Sequence, residues 1–146
     1  MLNIGIIDRV RYQRIKALSL DFVPNDEFPG ATAGREKALL GPAPAPAKPA
    51  AHVQATAGLP PYLTSLYEVP LLTREQELHL FRKMNYLKYK ASKLVARLNP
   101  ERPDNRLLDR IEQLYQQSIE VKNEIVRANL RLVVAMTKRS EPSSKG

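Results

Sequence analysis

The feature that most constrains this chain is an unbroken helical seam in its second half. Leu107, Ile111, Leu114, Ser118, Val121, Ile125, Ala128 and Leu132 recur at intervals of three and four residues, which places them along one stripe of an α-helix. Asp104 is a good N-cap, and no Gly or Pro interrupts the pattern before the composition changes at Ser140. The spacing therefore predicts one helix from about residue 104 to about residue 138, long for a globular protein. Such a helix cannot bury its stripe alone. A second pattern upstream supplies the partner: Leu78, Phe81, Met84, Leu87, Ala91, Leu94 or Val95, and Leu98 form an apolar row over residues 74–98. Asn99-Pro100 ends that row, and the short polar connection to Pro103 lets the chain turn back. The expected fold is all-α: a short helix plus a long antiparallel helix pair, preceded by a disordered N-terminal linker.

The start of the first long helix has a local mechanism. In Leu72-Thr73-Arg74-Glu75-Gln76-Glu77, Thr73 can cap the first turn while Gln76 reaches back to the Thr73 N–H. Glu75 and Glu77 complement the positive end of the helix dipole. Just upstream, residues 60–68 read as a short helix or turn, with Tyr62, Leu63 and Leu66 near one another, broken by Val69-Pro70.

The remaining chain divides by composition. Residues 1–30 form an amphipathic N-terminal segment, with a short helix over residues 6–18 and then an extended turn in which Pro24 and Asn25-Asp26 set the geometry. Phe22, Val23 and Phe28 read as exposed apolar residues of a docking peptide. Residues 31–59 are expected to be a Pro/Ala-rich disordered linker, because Ala offers little area to bury and Pro removes donors. Residues 60–139 form the helical region, and 140–146 a disordered tail.

Composition excludes several functions. The chain has no Cys and two well-separated His residues, so disulfides, Cys-ligated zinc and a His-based metal site are unsupported, and no cofactor is expected. The Ser residues lack a nearby His and there is no Gly-rich phosphate loop, so an enzyme is not expected. No apolar run approaches the roughly 20 residues of a membrane span, and no secretory signal is evident. A cytoplasmic protein with no membrane and no small-molecule substrate is the expectation. The formal charge is +8, and residues 60–146 hold sixteen Lys/Arg against ten Asp/Glu, an excess that favours an acidic partner such as nucleic acid.

Two stretches carry a family resemblance. PYLTSLYEVPLLTREQELHLFRKM, residues 61–84, resembles region 1.2 of housekeeping-class bacterial RNA polymerase sigma factors. EIVRANLRLVVAMTKR, residues 124–139, resembles the opening of region 2.1 of the same family, where Asn-Leu-Arg-Leu-Val-Val is a hallmark. The motifs stand in the family's order and cover a little over half the chain. The stretches that follow region 2.1 in the family are not found after Ser140, so the chain looks like a truncated front end of such a factor.

The resemblance implies a transcription initiation factor, or its N-terminal part, that binds promoter DNA near the minus-ten and discriminator region and binds core RNA polymerase. In the family, the short helix of region 1.2 lies beside the unpaired non-template strand. Those positions fall on Tyr62, Leu63 and Thr64, with Thr64 standing where many members carry Arg. Beside the resemblance, the residues themselves offer Tyr62 as a base-stacking side chain and Lys83, Lys88, Lys90, Lys93, Arg97, Arg127 and Arg131 as phosphate-attracting charges. Val133, Val134 and Met136, apolar and uncovered, are expected to bind protein. The alternatives are a helical protein-interaction module, or a non-functional remnant of a sigma factor.

Overall fold

The structure is a computed structural model that describes residues 6–45, 60, 61, 65, 71–102 and 104–140, with side chains of 6–8 and 134–140 left aside. It is all-helical over those residues. Helix α1 spans Ile6–Lys16, α2 Ala33–Leu40, α3 Arg74–Val95 and α4 Asn105–Ser140. The two long helices, α3 with 22 residues and α4 with 36, pack against each other as the antiparallel pair that their apolar rows require. Chain ends of these helices follow local chemistry. After Val95 the helix tightens, with Arg97 N–H donating to the Leu94 carbonyl and Leu98 N–H to that of Val95. Asn99 Oδ1 then accepts the Glu101 N–H, and Asp104 Oδ1 caps α4 by accepting the Arg106 N–H, each at 3.0 Å.

The chain forms two compact units, Met1–Gly41 with Arg82–Val121 and Pro42–Phe81 with Lys122–Gly146. The second half of α3 thus falls with the first half of α4, and the first half of α3 with the second half of α4, as an antiparallel hairpin demands. The helical region expected over residues 60–139 is divided between the two units.

In the first unit the core combines Leu87, Ala91 and Leu98 with Leu108, Ile111, Leu114, Ser118 and Val121, joined by Tyr12 and Ile15 of α1. Ser118 satisfies its hydroxyl by donating to the Tyr115 carbonyl at 2.6 Å, so this polar group sits in the seam without a desolvation penalty. The seam differs from expectation at its ends. Leu108 is buried where Leu107 is only half-buried, and Leu132 is exposed.

Residues 6–41 pack within the first unit. Arg11 and Arg14, one turn apart on α1, grip Glu112 of α4 at 3.0 Å each, and Arg11 also pairs with Asp109. Beyond α1, Asn25 Oδ1 accepts the Glu27 N–H and the Asn25 carbonyl accepts the Phe28 N–H, a turn of the kind Asn favours. It directs Phe28 inward, where Phe28 joins Leu39 and Tyr86 in a buried cluster flanked by Phe22, Leu40 and Tyr89. The apolar residues read as a docking peptide therefore dock within the chain itself, except Val23, whose side chain is exposed.

The first part of the stretch expected as a linker holds a helix, α2. Gly30, at φ 63, turns the chain, Thr32 caps α2 by accepting the Arg35 N–H at 3.2 Å, and Leu39 is buried. Burial of Leu39 against the aromatic cluster, rather than local propensity, orders this helix. Residues 46–59 lie outside the described residues.

In the second unit, the capping box at the start of α3 is formed in both directions. Thr73 N–H donates to Gln76 Oε1 at 2.9 Å and Gln76 N–H donates to Thr73 Oγ1 at 3.2 Å. Gln76 Nε2 also donates to the Pro44 carbonyl at 2.9 Å. Leu78 and Phe81, expected in the apolar row, are exposed, while Leu80 is buried.

Candidate nucleic-acid interface

Helical spacing arranges the α3 cations. Lys83, Lys90 and Lys93, with Arg97 just past the helix, recur at seven, three and four residues on one face, and Lys88 falls outside that row. Lys83 and Lys88 are half-buried, and Arg97 is exposed. These residues belong to the first unit. Arg127 is exposed on α4 in the second unit.

Two of the candidate cations are placed differently from expectation. Lys90 is paired with Glu36 of α2, and its ammonium lies 5.8 Å from the Tyr86 ring centroid. It is committed to an internal contact and does not stand free for phosphate. Arg131 is 3% exposed, so it lies inside the second unit and not on a DNA-facing surface; it falls within the α4 row that buries Ala128, three residues earlier. Lys93 is exposed but overlies the Tyr89 ring, with its ammonium 4.9 Å from the centroid.

Tyr62, Leu63 and Thr64 lie outside the described residues; Pro61 and Ser65 on either side are helical. Val133 is 56% exposed. The backbone of Val134 and Met136 is helical, and their side chains lie outside the described residues.

The lysine face carries aromatic residues that the spacing of cations alone did not single out. Tyr86 and Tyr89, one turn apart, stack at 28° with centroids 6.1 Å apart. Phe28 meets both at a tilt, with centroids at 5.3 Å and 5.6 Å, and Phe22 meets Tyr89 edge-on at 5.5 Å. The signal was present in the alternation Asn85-Tyr-Leu-Lys-Tyr-Lys90, where two rings and two ammoniums interleave. Burial, with the negative Glu36 beside it, pushes the Tyr86 phenol up. The Lys90 ammonium holds the Glu36 carboxyl below its ordinary range. At α1, hydrogen bonds from Arg11 and then Arg14 depress Glu112 likewise.

A cleft of about 270 Å³ in the second unit is lined by Arg74, Glu77, Leu78, Phe81 and Ile125. The exposed Leu78 and Phe81 lie in it beside Arg74 and Glu77. Among the described residues no cluster of His, Asp or Glu could hold a metal ion, and no helix is long and apolar enough to cross a membrane. No family model and no solved structure matches the chain.

Proposed function

We propose that this chain acts in transcription initiation, as a sigma-factor-like element that joins core RNA polymerase to promoter DNA near the minus-ten and discriminator region. The observation that carries the reading is the pair of ordered motifs, PYLTSLYEVPLLTREQELHLFRKM followed by EIVRANLRLVVAMTKR. The capping box at Thr73 and Gln76 supports it, since that pair begins the helix on which the first motif ends. The basic excess of residues 60–146 supports it too, as a source of sequence-independent phosphate attraction. In this reading the chain works in the cytoplasm, by binding and not by catalysis, with no cofactor.

The test is association with purified core RNA polymerase and with forked promoter DNA across a salt series. Binding to the fork weakens as salt rises and weakens further when Lys83, Lys88 and Arg97 become Ala. Fork binding that is indifferent to salt and to those substitutions refutes the DNA half of the reading. Absence of any complex with core polymerase refutes the other half.

A second reading, a helical protein-interaction module, is favoured by one observation. Val126, Leu130 and Val133 are exposed at intervals of four and three on α4, an apolar row of the kind that helices present to partners. Under that reading, polymerase binding survives high salt and is lost with Val133→Asp, while fork DNA is not bound.

A further inference from the structure

We infer that the cleft face of the second unit is a self-association surface, on which a second copy of this chain docks about a two-fold axis. The inference rests on the protein-interaction reading above and names the partner for it.

Both long helices contribute to this face. Arg74, Glu77, Leu78 and Phe81 of α3 line the cleft of about 270 Å³ together with Ile125 of α4. Phe81 follows the buried Leu80, and Val126 follows Ile125, so each lies about 100° past its helix's seam in the same rotational sense. In an antiparallel pair that displacement carries both side chains to the same side. Val133, two turns beyond Val126, shares its stripe, and Leu130 stands at its margin. The unit therefore presents an apolar groove between two helices, the shape that another helix pair fills in a four-helix bundle.

Charge selects the occupant. Arg74 and Glu77 are exposed one turn apart and bring one charge of each sign to the cleft. Neither is ion-paired among the described residues. An acidic ligand finds no net positive charge at the cleft, although the chain as a whole carries +8. A two-fold interface has to be complementary to itself, and this rim is: Arg74 of each copy stands opposite Glu77 of the other, so the pair is made twice.

The apolar area fits the same occupant. Leu78, Phe81, Val126, Leu130 and Val133 are 37–56% exposed. Side chains of this size leave together on the order of 400 Å² of apolar surface, which matches the apolar share of a small two-fold interface of about 600 Å² per partner. An interface of that size holds a weak dimer, with a Kd on the order of tens of micromolar. The chain is then a monomer at low-micromolar concentration and a dimer well above it.

The test is sedimentation equilibrium of the full-length chain alone, from about 5 to about 500 µM. The mass rises from 16.5 kDa and saturates at twice that value, because a two-fold contact closes on itself. Phe81→Ser weakens the dimer by about tenfold or more. Arg74→Glu and Glu77→Arg each weaken it severalfold, since each sets like charges opposite one another. Mixing these two variants restores association to the wild-type level, because every facing pair is again of opposite sign. Arg127→Glu makes the same change of charge at another exposed position of the unit and leaves the mass profile unchanged. Circular dichroism confirms that each variant keeps its helices.

The inference is overturned if the chain stays at 16.5 kDa throughout, or if the mass climbs past the dimer. It is equally overturned if Phe81→Ser associates like wild type, if Arg127→Glu weakens association as much as Arg74→Glu does, or if the mixture associates no better than its components. Should a chain that remains monomeric still bind core polymerase in a manner lost with Val133→Asp, this inference fails while the protein-interaction reading stands.

Discussion

The Val23 backbone N–H donates to Asn85 Oδ1 at 2.8 Å, joining positions 62 residues apart in sequence. Asn85 is buried, with 4% of its surface exposed, and its amide oxygen helps fix where the N-terminal arm, residues 6–41, meets α3. Asn85→Ala removes the acceptor, while water can still reach the exposed Val23. The expected cost is about 1 kcal/mol, or a melting temperature lower by about 4–8 °C for a unit of this size. Limited proteolysis of the variant cuts first within residues 19–32. An unchanged melt and an unchanged cleavage pattern would show that the arm is positioned by its aromatic contacts alone.

Acid loosens the same arm. Glu36 is held below its ordinary value of 4.5 by Lys90, and Glu112 by Arg11 and then Arg14. Both folded values lie below the unfolded ones, so their contribution is complete above about 4.5 and is lost as pH falls through the folded values. The denaturation midpoint should therefore decline as pH is lowered from about 5 to about 3. In the Glu36→Gln, Glu112→Gln double variant this part of the decline is reduced. An identical slope in wild type and variant would count against the two carboxylates as its source.

The capping box offers a cleaner measurement in the second unit. Thr73→Ala is expected to cost about 0.5–2 kcal/mol, read as a shift in the urea midpoint at constant slope. Gln76→Ala acts on the same reciprocal pair, so the double variant costs less than the sum of the two. Additive losses would mean that the two hydrogen bonds act independently.

Position along α4 should decide the cost of equal truncations. Leu114 is fully buried and Leu130 is more than a third exposed. Leu114→Ala is expected to lose about 2–5 kcal/mol, while Leu130→Ala stays within about 0.5 kcal/mol. Similar losses at both positions would indicate that the exposed face of α4 is covered in solution.

The antiparallel pair was legible because a repeat of three and four residues is a local signal that tertiary packing merely confirms. Its errors are those of a periodic argument. Leu108 replaces Leu107 at the seam, and Leu78, Phe81 and Leu132 sit on the stripe yet remain exposed. The arm was not legible in the same way. Nothing local in Phe22, Phe28 or Leu39 specifies that they bury against Tyr86 and Tyr89, more than forty residues downstream. A weaker signal was there to be read, since Arg11 and Arg14 share the three-residue spacing of Asp109 and Glu112. Opposite charges at matched helical intervals are a pairing hint. Lys90, paired with Glu36, and Arg131, buried, show the same limit: charge type is visible in a sequence, but the partner or the burial that engages it is not.

The contacts of the N-terminal arm also set an order of events in time. Its hydrogen bonds to α3 and α4 link positions 54 to 101 residues apart, whereas α3 and α4 are joined by a short connection. Closing the long loop costs more chain entropy than closing the short one. The helix hairpin therefore forms early and the arm arrives last. By the same reasoning the arm departs first, and amide exchange at Phe28, whose N–H is held by the Asn25 carbonyl, should outpace exchange at Ile111 in the middle of the seam. Equal protection at the two amides would mean that the arm and the hairpin form as one cooperative body.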